Sequence, residues 1–102
     1  MNMDQVLKQA QKMQSEIGRI QEELGREKVE GVSGGGMVRV SATGQGEVIS
    51  IVIETEVIDP SEKEILEDLV LAAIHDATRK SRELAQSRLG RFGGAIGLPG
   101  LG

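Results

Sequence analysis

The chain has 102 residues, enough for one domain with a small core, and it contains no cysteine, which excludes disulfides, thiolate zinc sites and cysteine nucleophiles. Its formal net charge is −4, from 12 basic and 16 acidic residues. This balance argues against a general polyanion-binding protein, which would have a cationic surface. No apolar run is long enough to span a bilayer and the polar N-terminus is unlike a signal peptide, so we expect a soluble cytoplasmic protein without membrane contacts.

The first predicted element is an amphipathic helix that ends near Gly25. Its apolar residues recur at steps of three and four, which aligns them on one side at about 100° per residue. These residues are Met3, Val6, Ala10, Met13, Ile17, Ile20 and Leu24. Four basic residues, Lys8, Lys12, Arg19 and Arg26, fall within about 40° of each other on the opposite side. The helix is therefore predicted to have an apolar stripe and a basic back.

Three short strands follow, at residues 28–32, 37–42 and 48–57, and glycine-rich turns separate them. In the third strand Ile49, Ile51 and Ile53 alternate onto one face. The first turn, "SGGG", lacks the lysine and the following hydroxyl of a phosphate-binding loop, and a strand rather than a helix comes next. We therefore predict that its glycines supply the positive φ of a turn within a three-stranded antiparallel meander.

A second helix is predicted to begin where Asp59 can cap it, with Pro60 at the first helical position and Glu62 at a capping-box spacing. Its buried stripe consists of Leu66, Leu69, Val70, Ala73 and Ala77. Beyond Ala77 basic residues replace the apolar ones on this face, so the second half is predicted to protrude as an arm. We place the domain at residues 1–92 and expect residues 93–102 to form a mobile glycine-rich tail.

Candidate catalytic residues are few. His75 is the only histidine, and its neighbour Asp76 points about 100° away around the helix, so the two do not form a dyad. Glu54 and Glu56 share one strand face, where solvated carboxylates that protect a sheet edge are a better interpretation than a cation site. We therefore predict no enzymatic role, no cofactor and no metal.

The basic residues allow two interpretations. Acidic residues near the start of the second helix and basic residues near its end both stabilise the helix macrodipole, so no partner is required. Alternatively, the basic faces of both helices contact phosphates. The absence of tryptophan and tyrosine disfavours stacking on single strands, which leaves salt-sensitive contacts with the backbone of a duplex.

Several motifs occur in an order that resembles the YbaB/EbfC family. They are "KQAQKMQ" at residues 8–14, "VEGVSGGGMVRV" at 29–40, "GEV" at 46–48, "DPS" at 59–61, "LEDLVLAAIHDA" at 66–77 and "GLPG" in the tail. The resemblance implies a small bacterial nucleoid-associated protein that binds DNA as a homodimer. It also implies a helix, a three-stranded antiparallel sheet and a helix, assembled into tweezer-like dimers. His75 departs from the family, which commonly has asparagine there.

We therefore predict an α+β homodimer that binds double-stranded DNA with low sequence selectivity, in nucleoid organisation or gene regulation. The predicted DNA-binding residues are Lys8, Lys12, Arg19, Arg26, Arg79, Lys80, Arg82 and Arg88. The predicted dimer interface consists of Met13, Ile17, Ile20, Leu24, Ile49 and Ile51. The alternative is an acidic protein–protein interaction module with weak or no DNA binding, which the net negative charge favours, with the tail as its candidate partner contact.

Overall fold

The computed structural model of the chain describes the backbone of residues 2–95 and the side chains of residues 2–91. It contains helix α1 (Met3–Arg26), strands β1 (Lys28–Ser33), β2 (Val38–Thr43) and β3 (Val48–Ile53), and helix α2 (Lys63–Ala95). The strands form one antiparallel sheet in the order β1-β2-β3, which confirms the predicted α+β class and the meander. Helical backbone continues through Ala95, and the rest of the predicted tail lies outside the described residues.

The core lies between the sheet and the first half of α2. Val38, Val40 and Ala42 of β2 pack against Ala73 and Ala77 of α2, and all five side chains are fully buried. α2 covers β1 and β2 but makes few contacts with β3, so one edge of the sheet has no helix over it in the described chain. This asymmetry leaves apolar side chains of β3 exposed.

A close approach of backbones joins β1 to α2 at Gly31. A Cβ atom at this position would lie 2.3 Å from the carbonyl oxygen of Ala73 and 2.3 Å from the backbone nitrogen of Ala77. Real Cβ atoms essentially never come within 3.0 Å of a heavy atom outside their own and adjacent residues. Glycine in the strand and alanine in the helix therefore allow a separation that larger side chains would prevent.

The glycines of "SGGG" form a tight turn between β1 and β2. Gly34, Gly35 and Gly36 all have positive φ, at 58°, 66° and 90°. The hydroxyl of Ser33 donates a hydrogen bond to the carbonyl of Leu69 at 2.6 Å, which attaches the turn to α2. The prediction that these glycines are turn residues is confirmed.

The boundaries of β3 and α2 differ from the predicted ones. β3 ends at Ile53 because residues Thr55–Val57 form a 3₁₀ turn. Asp59 accepts hydrogen bonds from the backbone nitrogen of Ser61 at 2.9 Å and from its hydroxyl at 2.7 Å, and so caps the 3₁₀ turn Pro60–Glu62, as predicted. This 3₁₀ turn runs directly into α2, so the α-helix proper begins at Lys63, three residues after the predicted first helical position.

The two helices leave the body to different extents. On α1, residues 3–17 include no buried side chain, and only Ile20 and Leu24 are buried. On α2, Leu84, Ala85 and Arg88 remain half-buried, so the prediction that its second half protrudes is wrong for this part of the helix. The reason is that Arg88 and Ala85 lie against the end of α1 and the β2–β3 turn. We call residues 3–17 the α1 arm. Neither described helix is long and apolar enough to cross a membrane.

Candidate nucleic-acid interface

Within the part of the chain that the structure describes, α1 is held to the body at its C-terminal end. The backbone nitrogen of Gly44 donates to the carbonyl oxygens of Leu24 at 2.8 Å and Glu27 at 3.0 Å. The side-chain amide of Gln45 donates to the carbonyl of Gln21 at 2.7 Å. The β2–β3 turn therefore fixes the last turn of α1, while the arm extends away from the sheet.

The four predicted DNA-binding residues of α1 differ in their ion pairs. Lys8 and Lys12 are exposed, and no ion pair within the described residues includes either of them. Arg19 bonds to two carboxylates at 2.7 Å each, those of Glu16 and Glu23. Arg26 is 78% exposed and 3.9 Å from the Glu22 carboxylate, a loose contact. The two lysines on the arm are thus the cations of α1 that are unpaired in the described chain.

The predicted residues of α2 are more heavily engaged. Arg79 bonds to Asp76 at 2.7 Å and to Glu83 at 2.8 Å. Lys80 lies 3.0 Å from Asp76 and donates to the carbonyl of Glu30 at 2.8 Å.

Arg88 and Arg82 occupy different positions from these two. Arg88 forms an ion pair with Glu27 at the end of α1 and is mostly buried there. Arg82 is exposed, takes part in no ion pair within the described residues, and lines a groove with Gln21 and Gln45. Arg82 is therefore the member of the α2 set that lies beside α1 with its charge uncompensated in the described structure.

Asp76 has a structural role that the sequence did not indicate. Its carboxylate accepts a hydrogen bond from the backbone nitrogen of Val32 at 2.9 Å, in addition to its contacts with Lys80 and Arg79. These bonds, the one from Val32 first, lower the pKa of Asp76 from 3.8 to about 2. Asp76 therefore joins α2 to the edge strand β1, whereas the neighbouring His75 is exposed.

The lowered pKa of Asp76 predicts an acid-dependent loss of stability. A carboxylate with a depressed folded-state pKa stabilises the fold above its unfolded pKa of 3.8, and this contribution is lost as the pH falls towards about 2. Replacing Asp76 with Asn should lower the melting temperature at neutral pH and reduce its decline between about pH 4 and pH 2. Circular dichroism melts across this range test the expectation, with Asp68→Asn, an exposed carboxylate on the same helix, as the control. The expectation would be contradicted if the melting temperatures of native and Asp76→Asn protein declined equally over this pH range.

The six predicted interface residues fall into two groups. Ile20 and Leu24 are buried by their own chain, at 6% and 0% exposure, so they already serve to hold α1 to the body. Ile49 and Ile51 on β3 are 46% and 44% exposed. Met13 and Ile17 are also partly exposed, on the apolar stripe of α1. Four of the six are thus accessible to a partner.

The exposed side chains of β3 continue into an apolar groove. Ile51 pairs with Val40 and Ile53 with Val38, and because opposite residues of an antiparallel pair share a face, both isoleucines lie on the α2 side of the sheet. The groove beside them is lined by Ile53, Leu66, Val70, Leu71 and Ile74. The α2 side of β3 is therefore an apolar surface that the described chain leaves uncovered. We call this surface the β3 face.

Comparisons with known proteins agree on one family. The YbaB/EbfC DNA-binding family matches residues 1–96. A nucleoid-associated protein of Pelotomaculum thermopropionicum is 44% identical over 100 residues, covering 98% of this chain and 95% of that protein. A nucleoid-associated protein of Caldanaerobacter subterraneus subsp. tengcongensis is 48% identical over 100 residues, covering 98% and 90%.

A solved structure agrees at the level of the fold. The crystal structure of an uncharacterized protein from Helicobacter pylori is similar with a TM-score of 0.80, covering 90% of this chain and 97% of that one. At 24% identity this likeness shows the fold alone. The family match and the two close relatives confirm the resemblance in the motifs, and the chain belongs to the YbaB/EbfC DNA-binding family.

Proposed function

We propose that this protein binds double-stranded DNA as a homodimer, through phosphate contacts from helix-borne lysine and arginine and with low sequence selectivity. The observation that carries the proposal is the pair of exposed lysines, Lys8 and Lys12, on an arm whose side chains are free of the protein body. The names of the relatives support a place in the cytoplasmic nucleoid, in nucleoid organisation or gene regulation.

The charges of the chain are segregated in a way that suits this function. Residues 54–68 carry seven acidic and one basic residue, whereas residues 78–91 carry five basic and one acidic residue. The first half of α1, residues 3–14, has two basic residues and one acidic residue. The net charge of −4 therefore belongs mainly to the body, and local cationic surface is present on the helices.

The chemistry of these helices supports contacts with the phosphate backbone over base recognition. Phosphate contacts position a protein on DNA and carry no sequence information directly. A single aromatic residue in the chain, Phe92, leaves little capacity for stacking on unpaired bases. Low sequence selectivity and strong salt dependence follow from such contacts.

We propose that the homodimer forms when the β3 face of one chain contacts the β3 face of a second copy. β3 is an edge strand whose six residues include no charge, an arrangement that usually needs a partner or protection. A two-fold axis would bring the same apolar surface of each subunit together, including Ile51. Val48 pairs with Ala42 and Ser50 with Ser41, so Ile49 is the unpaired residue of a β-bulge, exposed beside this surface and a further candidate contact. Met13 and Ile17 on the α1 arm remain candidates for the outer part of this contact. Such a dimer carries two arms, which increases avidity for one duplex.

Substituting one arm lysine tests the DNA-binding proposal. Lys12→Ala should weaken binding several-fold, and to the same extent on two unrelated duplexes. If both arms engage, the slope of log K against log salt should become shallower by about 1.8, because each phosphate contact contributes roughly 0.9. Fluorescence anisotropy of labelled duplexes, titrated with protein across a salt series, measures both quantities.

Lys63→Ala is the matched control, since it removes one exposed lysine at the acidic start of α2. It should leave the affinity and the salt slope close to those of the native protein. Equal losses for Lys12→Ala and Lys63→Ala would show that only net charge matters. A loss confined to one duplex would contradict backbone contact.

A further inference from the structure

Arg19 lies on the same side of α1 as the two free lysines but is chemically engaged. It follows Lys12 by seven residues, which places it roughly 20° away around the helix and about 10.5 Å along it. Its side chain is 55% exposed, so burial does not prevent it from reaching a DNA phosphate. Instead one terminal nitrogen donates to Glu23 and the other to Glu16, each at 2.7 Å. Two carboxylates thus surround one guanidinium.

We infer that Glu16 and Glu23 hold Arg19 away from DNA phosphates and thereby limit the affinity of the α1 surface. The inference rests on the proposed function and concerns the same surface. Glu16 and Glu23 act as positioning residues through Arg19, and neither is expected to touch DNA. The cluster of these three side chains has a net charge of −1, so it repels the phosphates that Lys8 and Lys12 attract.

The electrostatics of the cluster agree with this assignment. The hydrogen bond with Glu16, followed by the charge of Glu16 and the contacts with Glu23, raises the pKa of Arg19 above its ordinary value. A phosphate that approaches Arg19 must therefore displace carboxylates that are already bonded with good geometry. Exposed ion pairs of this kind contribute little to folding stability, so opening the cluster should free the arginine without unfolding α1.

The same spacing recurs on α2, where Arg79 lies between Asp76 and Glu83. There the aspartate also bonds to the backbone of Val32, so removing it would loosen the attachment of α2 to β1. The α1 cluster has no such second contact among its described hydrogen bonds. It is therefore the cluster in which DNA affinity can be separated from stability.

The test is a gain of affinity, which a misfolded variant cannot imitate. The double variant Glu16→Gln with Glu23→Gln should bind a labelled duplex several-fold more tightly than the native protein. Two arginines freed per dimer should steepen the slope of log K against log salt by about 1.8. Adding Arg19→Ala to the double variant should abolish the steeper slope, because the effect acts through that side chain.

The matched control is Asp4→Asn with Glu47→Gln, which also removes two exposed carboxylates, neither of which forms an ion pair within the described residues. It should gain less affinity and keep the native slope. Equal gains and slopes for the two double variants, with native protein that binds DNA, would overturn the inference alone. Native protein that binds neither of two duplexes at low salt would instead overturn the proposed function. Circular dichroism confirms that each variant keeps its helices.

Discussion

Gly31→Ala is expected to lower the melting temperature sharply, and Gly31→Val to prevent stable folding. The added Cβ would lie 2.3 Å from backbone atoms of both Ala73 and Ala77, which cannot rotate away as side chains do. α2 would have to move off β1 and open the core around Val40. Overpacking typically costs about 1–3 kcal/mol, and rigid backbone neighbours place Gly31→Ala at or above the upper end. In a domain of this size each kcal/mol corresponds to roughly 4–8 °C.

Gly18→Ala is the control for this prediction, because it adds the same methyl group where no atom lies within 4 Å. It should stabilise α1 by up to ~1 kcal/mol through helix propensity. Thermal unfolding followed by circular dichroism at 222 nm distinguishes the two. A Gly31→Ala protein that melts with the native one would mean that α2 can shift on the sheet at little cost.

Local patterns predicted the elements of this fold well because their causes are local. Period-two alternation predicted β2 and β3, and the glycine run predicted the positive φ values of the turn at Gly34 to Gly36. The cap at Asp59 and the place of Pro60 at the first helical position were also predicted, but the α-helix proper begins three residues later because its first turn is 3₁₀.

Features that depend on distant partners were not visible in the sequence. Gly31 is a glycine inside a predicted strand, and its close contact lies with Ala73 and Ala77, more than forty residues away. The only signal was the pair of small residues at a four-residue spacing on the facing helix. The attachment of Arg88 to Glu27 likewise joins residues separated by 61 positions.

The candidate site shows the same division. Period and charge predicted a basic side on α1. The local signal for the ion pairs of Arg19 is the helical spacing of Glu16, three residues before it, and Glu23, four residues after it. The extent of the projecting arm was not predictable, because it depends on where the sheet stops supporting α1. The sequence predicted a single apolar stripe along α1. In the structure Ile20 and Leu24 of this stripe are buried against the body, whereas Met3 and Val6 are exposed.

Ile51→Asp is expected to convert the proposed homodimer into a folded monomer, because it places a charge on the β3 face. In the single chain Ile51 is 44% exposed, so the aspartate can reach water and the monomer core should tolerate it. Light scattering with refractive-index detection should then give the mass of one chain in place of two. Loss of the second arm should also weaken binding to a duplex, by on the order of 10² when both arms reach it.

Ser50→Asp is the control that makes this prediction specific to one face of the strand. Ser50 pairs with Ser41 and therefore lies on the side of the sheet away from α2, so the same charge change there should leave a face-to-face dimer intact. If both aspartate variants are monomeric, the two copies of the native protein pair along the edge of β3 and not across its face. If Ile51→Asp stays dimeric, the β3 face is not the interface, and the exposed apolar stripe of α1 takes its place as the surface to substitute next, beginning at Ile17.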